Sequence, residues 1–231
     1  MKRNGAITHR GPHLLLLATV YLLLAIGGIA IAGALRHGAG YANPFGPIQA
    51  IQQFLASSPL SVKVAGMFLF ASAIPLGIFT GTVVSQLRFL GVRAAGTYIA
   101  LFGGLMASGS LVLSGLFTWT LSLPEVAAAA GTTRAIHFLA FLFGGVTFAV
   151  GFGLLAAGVS ITSAFARKLP RWIVVLGLVI AIAGEFSTFS LIAYPFNFLI
   201  PIARFGGFVW LLAVGATLQR TREARMHSAA A

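Results

Sequence analysis

Six stretches of this chain are apolar for long enough to cross a bilayer, and no water-soluble fold absorbs that many. A hydrocarbon core about 30 Å thick takes about 20 residues of α-helix at about 1.5 Å each. The stretches are 14–35, 62–84, 95–121, 135–161, 172–194 and 198–218 of the 231 residues. Charged residues make up 8% of the chain and hydrophobic ones 58%, against about 25% charged in soluble domains, so a water-facing shell cannot be built. The fold class expected is all-α: a polytopic membrane protein, one domain over residues 1–231, formed as a six-transmembrane-helix bundle.

The net charge of +12 has its place in that reading. On one side of the spans stand Lys2, Arg3, Arg10, Arg88, Arg93, Arg167, Lys168, Arg171, Arg220, Arg222 and Arg225; on the other stand Arg36, Lys63 and Arg134. Eleven cations against three put both termini on the cytoplasmic side. The basic ends offer contacts to anionic lipid, and the lipid bilayer itself is the first partner; nucleic acid is not expected, because the cations mark topology. The first span has a basic start and an Ala32-Gly33-Ala34 triplet like a cleavage site, but its apolar run exceeds a signal-peptide core, so a retained anchor is expected.

Segment 36–61 is the long connection. Pro44, Pro47 and Pro59 bracket Ile48, Ile51, Phe54 and Leu55, a spacing with one apolar face, which reads either as a helix lying on the outer membrane surface or as an ordinary loop. Pro75 is expected to kink the second span, and Pro201 fits the first turn of the sixth, after a corner at Pro195 and Asn197. Small residues recur four apart, at Gly28 and Ala32, Gly77 and Gly81, Gly103 and Ala107, Gly104 and Ser108, and Gly145 and Ala149, the pattern of closely packed helices in lipid.

Candidate chemistry is sparse. There is no Cys, which removes disulfides, thiolate metal sites and cysteine nucleophiles, and the carboxylates are Glu125, Glu185 and Glu223. Glu185 and Arg204 are the two charges well inside spans, at similar depth on consecutive antiparallel helices, so an ion pair between them is expected. It serves either a ligand or the packing of the two helices. His137, Thr188, Tyr194, Asn197 and Lys63 are the polar groups that would complete an outward-facing pocket, with Ser187 and Ser190 beside Glu185. The Ser and Thr residues within the helices are expected to bond their own backbone.

Sharper motifs fail on their residues. Ala149-Val150-Gly151-Phe152-Gly153 has the rhythm of a potassium filter but lacks the leading Thr and lies in a continuous apolar run. Met106-Ala107-Ser108-Gly109 lacks the first Gly of a rhomboid protease motif, no second His inside a span completes a b-type haem site, and the last helix has no Lys for retinal. No metal-binding pattern or phosphate loop is present, and a cofactor is not specified.

The last third carries a family likeness. Leu169-Pro170-Arg171-Trp172, Leu176-Gly177-Leu178-Val179, Ala183-Gly184-Glu185, Phe198-Leu199-Ile200-Pro201 and Trp210-Leu211-Leu212 give a pattern, over about Arg134 to Gln219, that resembles the bacterial membrane family DUF4386. The resemblance implies a multi-pass protein of the bacterial inner membrane and brings no activity with it. Three functions follow from the residues: transport or binding of a small molecule or ion through the outward pocket, an accessory or regulatory subunit contacting a membrane-protein partner, and, third, a membrane-embedded enzyme, for which the acid, base and nucleophile set is missing.

Overall fold

The computed structural model describes residues 11–36, 40 and 43–230, with side chains described to residue 221. Lys2, Arg3 and Arg10, and the side chains of Arg222, Glu223 and Arg225, lie outside the described residues. Every regular element among the described residues is helical. In chain order these are α1 (Leu14–Ala34), α2 (Ile48–Ser57), α3 (Pro59–Phe89), α4 (Gly96–Thr120), α5 (Pro124–Ala128), α6 (Ala130–Leu142), a π turn (Phe143–Thr147), α7 (Phe148–Phe165), α8 (Arg171–Phe186), two 3-10 turns (Ser187–Leu191 and Tyr194–Phe198) and α9 (Leu199–Ala230). Six helical stretches are long and apolar enough to cross a membrane: Leu14–Ala34, Pro59–Phe89, Gly96–Thr120, Ala130–Phe165, Arg171–Leu191 and Tyr194–Thr221.

The differences from the sequence boundaries have local causes. The fourth span starts at Ala130, five residues earlier than its apolar run, because Ala129 O accepts from Thr133 N and opens the helix among polar residues. The fifth span leaves α-geometry after Phe186, and the chain breaks at Ile192 and Ala193, where Ala193 is extended. Tyr194, Pro195 and Asn197 therefore belong to the turn that enters the sixth span. Pro75 sits inside α3 and Pro201 in the first turn of α9.

The chain forms two compact units. The first comprises 1–19, 76–105 and 149–231, and the second 20–75 and 106–148. In the first, α7 lies against α4 at Gly96 and Gly158, where a Cβ on Gly158 would stand 2.6 Å from the Ala100 nitrogen. In the same unit α9 runs antiparallel to α8, with Gly206 against Ile180 and Trp210 beside Gly177. In the second unit α3 and α4 meet at Gly66 and Gly115, and a Cβ on either would fall within 2.9 Å of the other helix's backbone. Lipid tails are as apolar as leucine, so such contact, more than apolar burial, holds helices together in a bilayer. Of the expected small-residue pairs, Gly28 fits against Phe68, Gly103 against Leu154 and Gly104 against Thr80, whereas Gly81 faces open space.

Segment 48–57 is a helix, and protein covers its apolar face. Ile51, Phe54 and Leu55 are buried with Val62, Leu121 and Ala127, and Ile48, Val126 and Ile136 pack around them. Gln52 Nε2 donates to the Ala127 and Ala128 carbonyls at 3.0 and 2.8 Å, and Arg134 Nη1 to those of Pro44 and Gly46 at 2.9 and 2.7 Å. The side group thus makes α2 a cap on α5 and α6 in place of a helix laid on lipid.

Replacing Gly115 by Val is expected to destabilise the protein by about 1–3 kcal/mol through overpacking. Gly109, with nothing within 4 Å of its added Cβ, is expected to gain about 0.5–1 kcal/mol on replacement by Ala. Thermal unfolding of both variants in detergent checks the contrast.

Candidate functional site

The fourth span carries the most unusual local chemistry. Along α6, Thr133, His137 and Ala140 form one buried stripe at helical spacing. His137 is 5% exposed and is the one His, Lys, Arg, Asp or Glu side chain buried among the described residues. His137 lies about 10 Å along the helix from Ala130 at about 1.5 Å per residue, two residues into the apolar run that starts at 135.

Both neighbours of His137 on that stripe are fixed by hydrogen bonds to other elements. Thr133 Oγ1 donates to the Val126 carbonyl at 2.6 Å, tying α6 to α5. Ser114 Oγ on α4 donates to the Ala140 carbonyl at 2.8 Å. Directly after comes the π turn, Phe143-Gly144-Gly145-Val146-Thr147. A π turn widens the helix and loosens its carbonyl ladder, and it is frequent at functional sites. The Ser114 hydroxyl supplies a donor at that loosened edge. Gly144 lets it approach, since a Cβ there would stand 2.4 Å from Ser114 Oγ. Phe117 and Phe143 pack beside it with ring centroids 5.7 Å apart.

Above this stripe in the same unit lies the α2 cap. Arg134, one residue past Thr133, holds the cap's approach segment by the two carbonyls it bonds and lies over the Phe138 ring, 5.9 Å from its centroid. Phe45 of that segment meets Phe138 and Phe141 edge-on, each at 5.4 Å. His137 is therefore buried on a helix that carries a bonded threonine one turn before it, an irregular turn after it and, at Arg134, Phe138 and Phe141, the contacts to the cap's approach segment.

The other residues singled out from the sequence are placed as follows. Lys63 shares the second unit with His137; it is exposed, with Nζ 5.9 Å from the Trp119 ring centroid. Glu185, Thr188, Tyr194, Asn197 and Arg204 belong to the first unit. Glu185 and Thr188 are exposed on α8 and the turn after it, among Ile182, Phe186 and Phe189, which are 60%, 51% and 48% exposed. Tyr194 is exposed, and Asn197 and Arg204 are half-buried. The α8–α9 register sets Arg204 level with Ile182 and Ala183, less than one turn from Glu185. The seven residues thus divide between the units, and the structure gathers others around His137.

The residues that sequence reasoning passed over are hydroxyls and amides. Threonines other than Thr133 bond their own helix as expected, Thr80 to Leu76 and Thr162 to Gly158 among them. Three serines instead cross to a neighbour: Ser61 to Ala32, Ser108 to Ala73 and Ser114 to Ala140. In the first unit Gln86 Nε2 crosses to the Leu218 carbonyl, and the fully buried Ser160 Oγ and Trp210 Nε1 converge on Gly177. A serine in an apolar run looks the same whether it bonds its own helix or the next, so only the Gly-Gly pair at 144–145 could have flagged the place.

Compared with known proteins, the chain matches no family model, no curated protein and no solved structure.

Gly144→Ala is expected to cost about 1–3 kcal/mol by overpacking against Ser114. Combining it with Ser114→Gly is expected to recover part of the loss, a coupling that a double-mutant cycle of unfolding midpoints measures.

Proposed function

We propose that this chain is a multi-pass protein of the bacterial cytoplasmic membrane that binds a small polar molecule or ion at His137 and passes it across the bilayer. The observation that carries this reading is the burial of one ionisable side chain, at 5% exposure, beside a π turn inside a membrane-length helix. Ionisable groups at membrane depth are costly and mark substrate or ion pathways. The lid over α6 gives such a site a movable entrance. The asymmetry of Lys and Arg supports an orientation with the basic ends in the cytoplasm and the α2 lid outside. The DUF4386-like pattern supports the bacterial inner membrane as the location.

The second reading, an accessory subunit, rests on Glu185. Its helix face is otherwise apolar and exposed, with Val175 and Val179 at 58% and 49% below it and Ile182 and Phe186 on either side. By rise per residue Glu185 lies about 21 Å from Arg171, well within a core of about 30 Å. A carboxyl on such a face suits pairing with Arg204 across the α8–α9 contact, and equally suits a polar group from a partner helix.

The test is a panel of small amines, carboxylates, sugars and monovalent ions read by thermal unfolding in detergent. A ligand at 100 times its dissociation constant adds about 2.7 kcal/mol, and each kcal/mol shifts Tm by about 2–4 °C for a chain of this size. At least one solute is expected to stabilise the wild type by that amount and to leave His137→Gln unmoved. Equal stabilisation of both proteins removes His137 from the site. A panel without effect, together with a stoichiometric partner that copurifies with the wild type and is lost from Glu185→Leu, selects the accessory reading.

A further inference from the structure

We propose that a groove at the basic end of the first unit holds one anionic phospholipid, with an acyl chain along its floor and the phosphate at Arg93. The groove runs between the α3–α4 connection and the last turns of α7, has a volume of about 540 Å³, and is lined by Val92, Arg93, Ile99, Ile161, Thr162 and Phe165 among others. The proposal is independent of the reading of His137, which lies in the other unit.

The groove is built by local backbone geometry. Gly91, at φ +90°, takes the left-handed conformation that closes α3, with Val92 N bonded to the Leu87 carbonyl at 3.0 Å. Arg167, at φ 51°, closes α7 in the same way, with Lys168 N bonded to the Ser163 carbonyl at 2.9 Å. Below these two turns, Gly96 and Gly158 bring the α4 and α7 backbones together, so the groove has a floor where side chains would otherwise stand. Its walls open outward: Ile99 is 46% exposed, Ile161 44% and Phe165 88%.

Charge and depth choose the occupant. Arg93 is exposed at the mouth and is the one charged residue among those lining the groove. Arg167 and Lys168 follow directly on the lining residue Ala166, and Arg88 lies over the Tyr98 ring at 5.6 Å. No carboxylate lines the groove. The floor reaches Ala157, about 12 Å along α7 from Phe165 at about 1.5 Å per residue, and so passes from the helix ends into the span. A free anion would find one guanidinium and apolar walls. A phospholipid matches both parts, because basic pockets between transmembrane helices take headgroups while the adjoining apolar surface takes the chain.

The experiment is native mass spectrometry of the full chain released from detergent, titrated with phosphatidylglycerol and with phosphatidylcholine of matched acyl chains. Phosphatidylglycerol is expected to occupy the first site at about fivefold lower concentration, from about 1 kcal/mol per basic residue at a surface. Arg93→Gln is expected to erase that preference, and Ala157→Phe to lower retention of both lipids by filling the floor. Should Ala157→Phe fail to fold, Ile161→Gln, which makes the wall polar without filling it, replaces it. Arg220→Gln, near the end of the sixth span and not among the residues lining the groove, is expected to change nothing. Equal retention of the two lipids by the wild type overturns the proposal, as does a preference that survives both Arg93→Gln and the floor variant. Displacement of the lipid by millimolar inorganic phosphate would assign the site to a free anion and overturn it as well.

Discussion

A peptide N–H or C=O placed in hydrocarbon finds no water, and each group left unbonded there costs several kcal/mol. Helices satisfy these groups within one segment, which is why the described spans are helical throughout. The same constraint governs the exceptions. Beside the π turn after α6, where the ladder is disturbed, Ser114 of α4 bonds the Ala140 carbonyl; along α3, Ser108 of α4 adds a bond to the Ala73 carbonyl. Helix α4 therefore does more than fill space. It carries the glycine for close contact with α3 and both serine donors.

Close approach and polar satisfaction are coupled. Ser114 reaches Ala140 because Gly144 has no side chain, and α3 reaches α4 because Gly66 and Gly115 have none. The irregular turn next to His137 thus depends on glycine twice, once for its own geometry and once for the donor that stabilises it. The lid differs in kind. It rests on ordinary apolar burial of Ile51, Phe54 and Leu55 and on four hydrogen bonds from Gln52 and Arg134 to backbone carbonyls. Burial against protein works there because the segment lies between spans, where the sequence turns polar.

The spans were legible because hydrocarbon imposes one requirement on every residue of a segment, and an apolar run of about 20 residues meets it visibly. Their ends were less so. Ala130 to Arg134 are polar or small, yet they are helical, opened by the Thr133 N–H bond to the Ala129 carbonyl. The amphipathic spacing in 48–57 was readable, but a single apolar face does not say whether lipid or protein covers it. At the candidate site, His137 was visible as a residue, but its burial was not. Ser114 and Gly144 were hidden, because their roles come from a partner helix and not from their own neighbours in sequence. Glu185 and Arg204 stood out as charges; that the first is exposed and the second half-buried did not.

The absence of cysteine from the chain makes the central claim, six helices embedded in lipid, open to direct measurement. Single cysteines introduced at Ala95, Leu105, Ala129 and Val179 would be challenged in intact cells with a membrane-impermeant maleimide, before and after permeabilisation. The account requires that Ala129 label in intact cells, that Ala95 label only once the membrane is opened, and that Leu105 and Val179 stay unlabelled until the protein is denatured. Labelling of Leu105 and Val179 at the rate of the loop positions would mean that water, and not lipid, surrounds those helices.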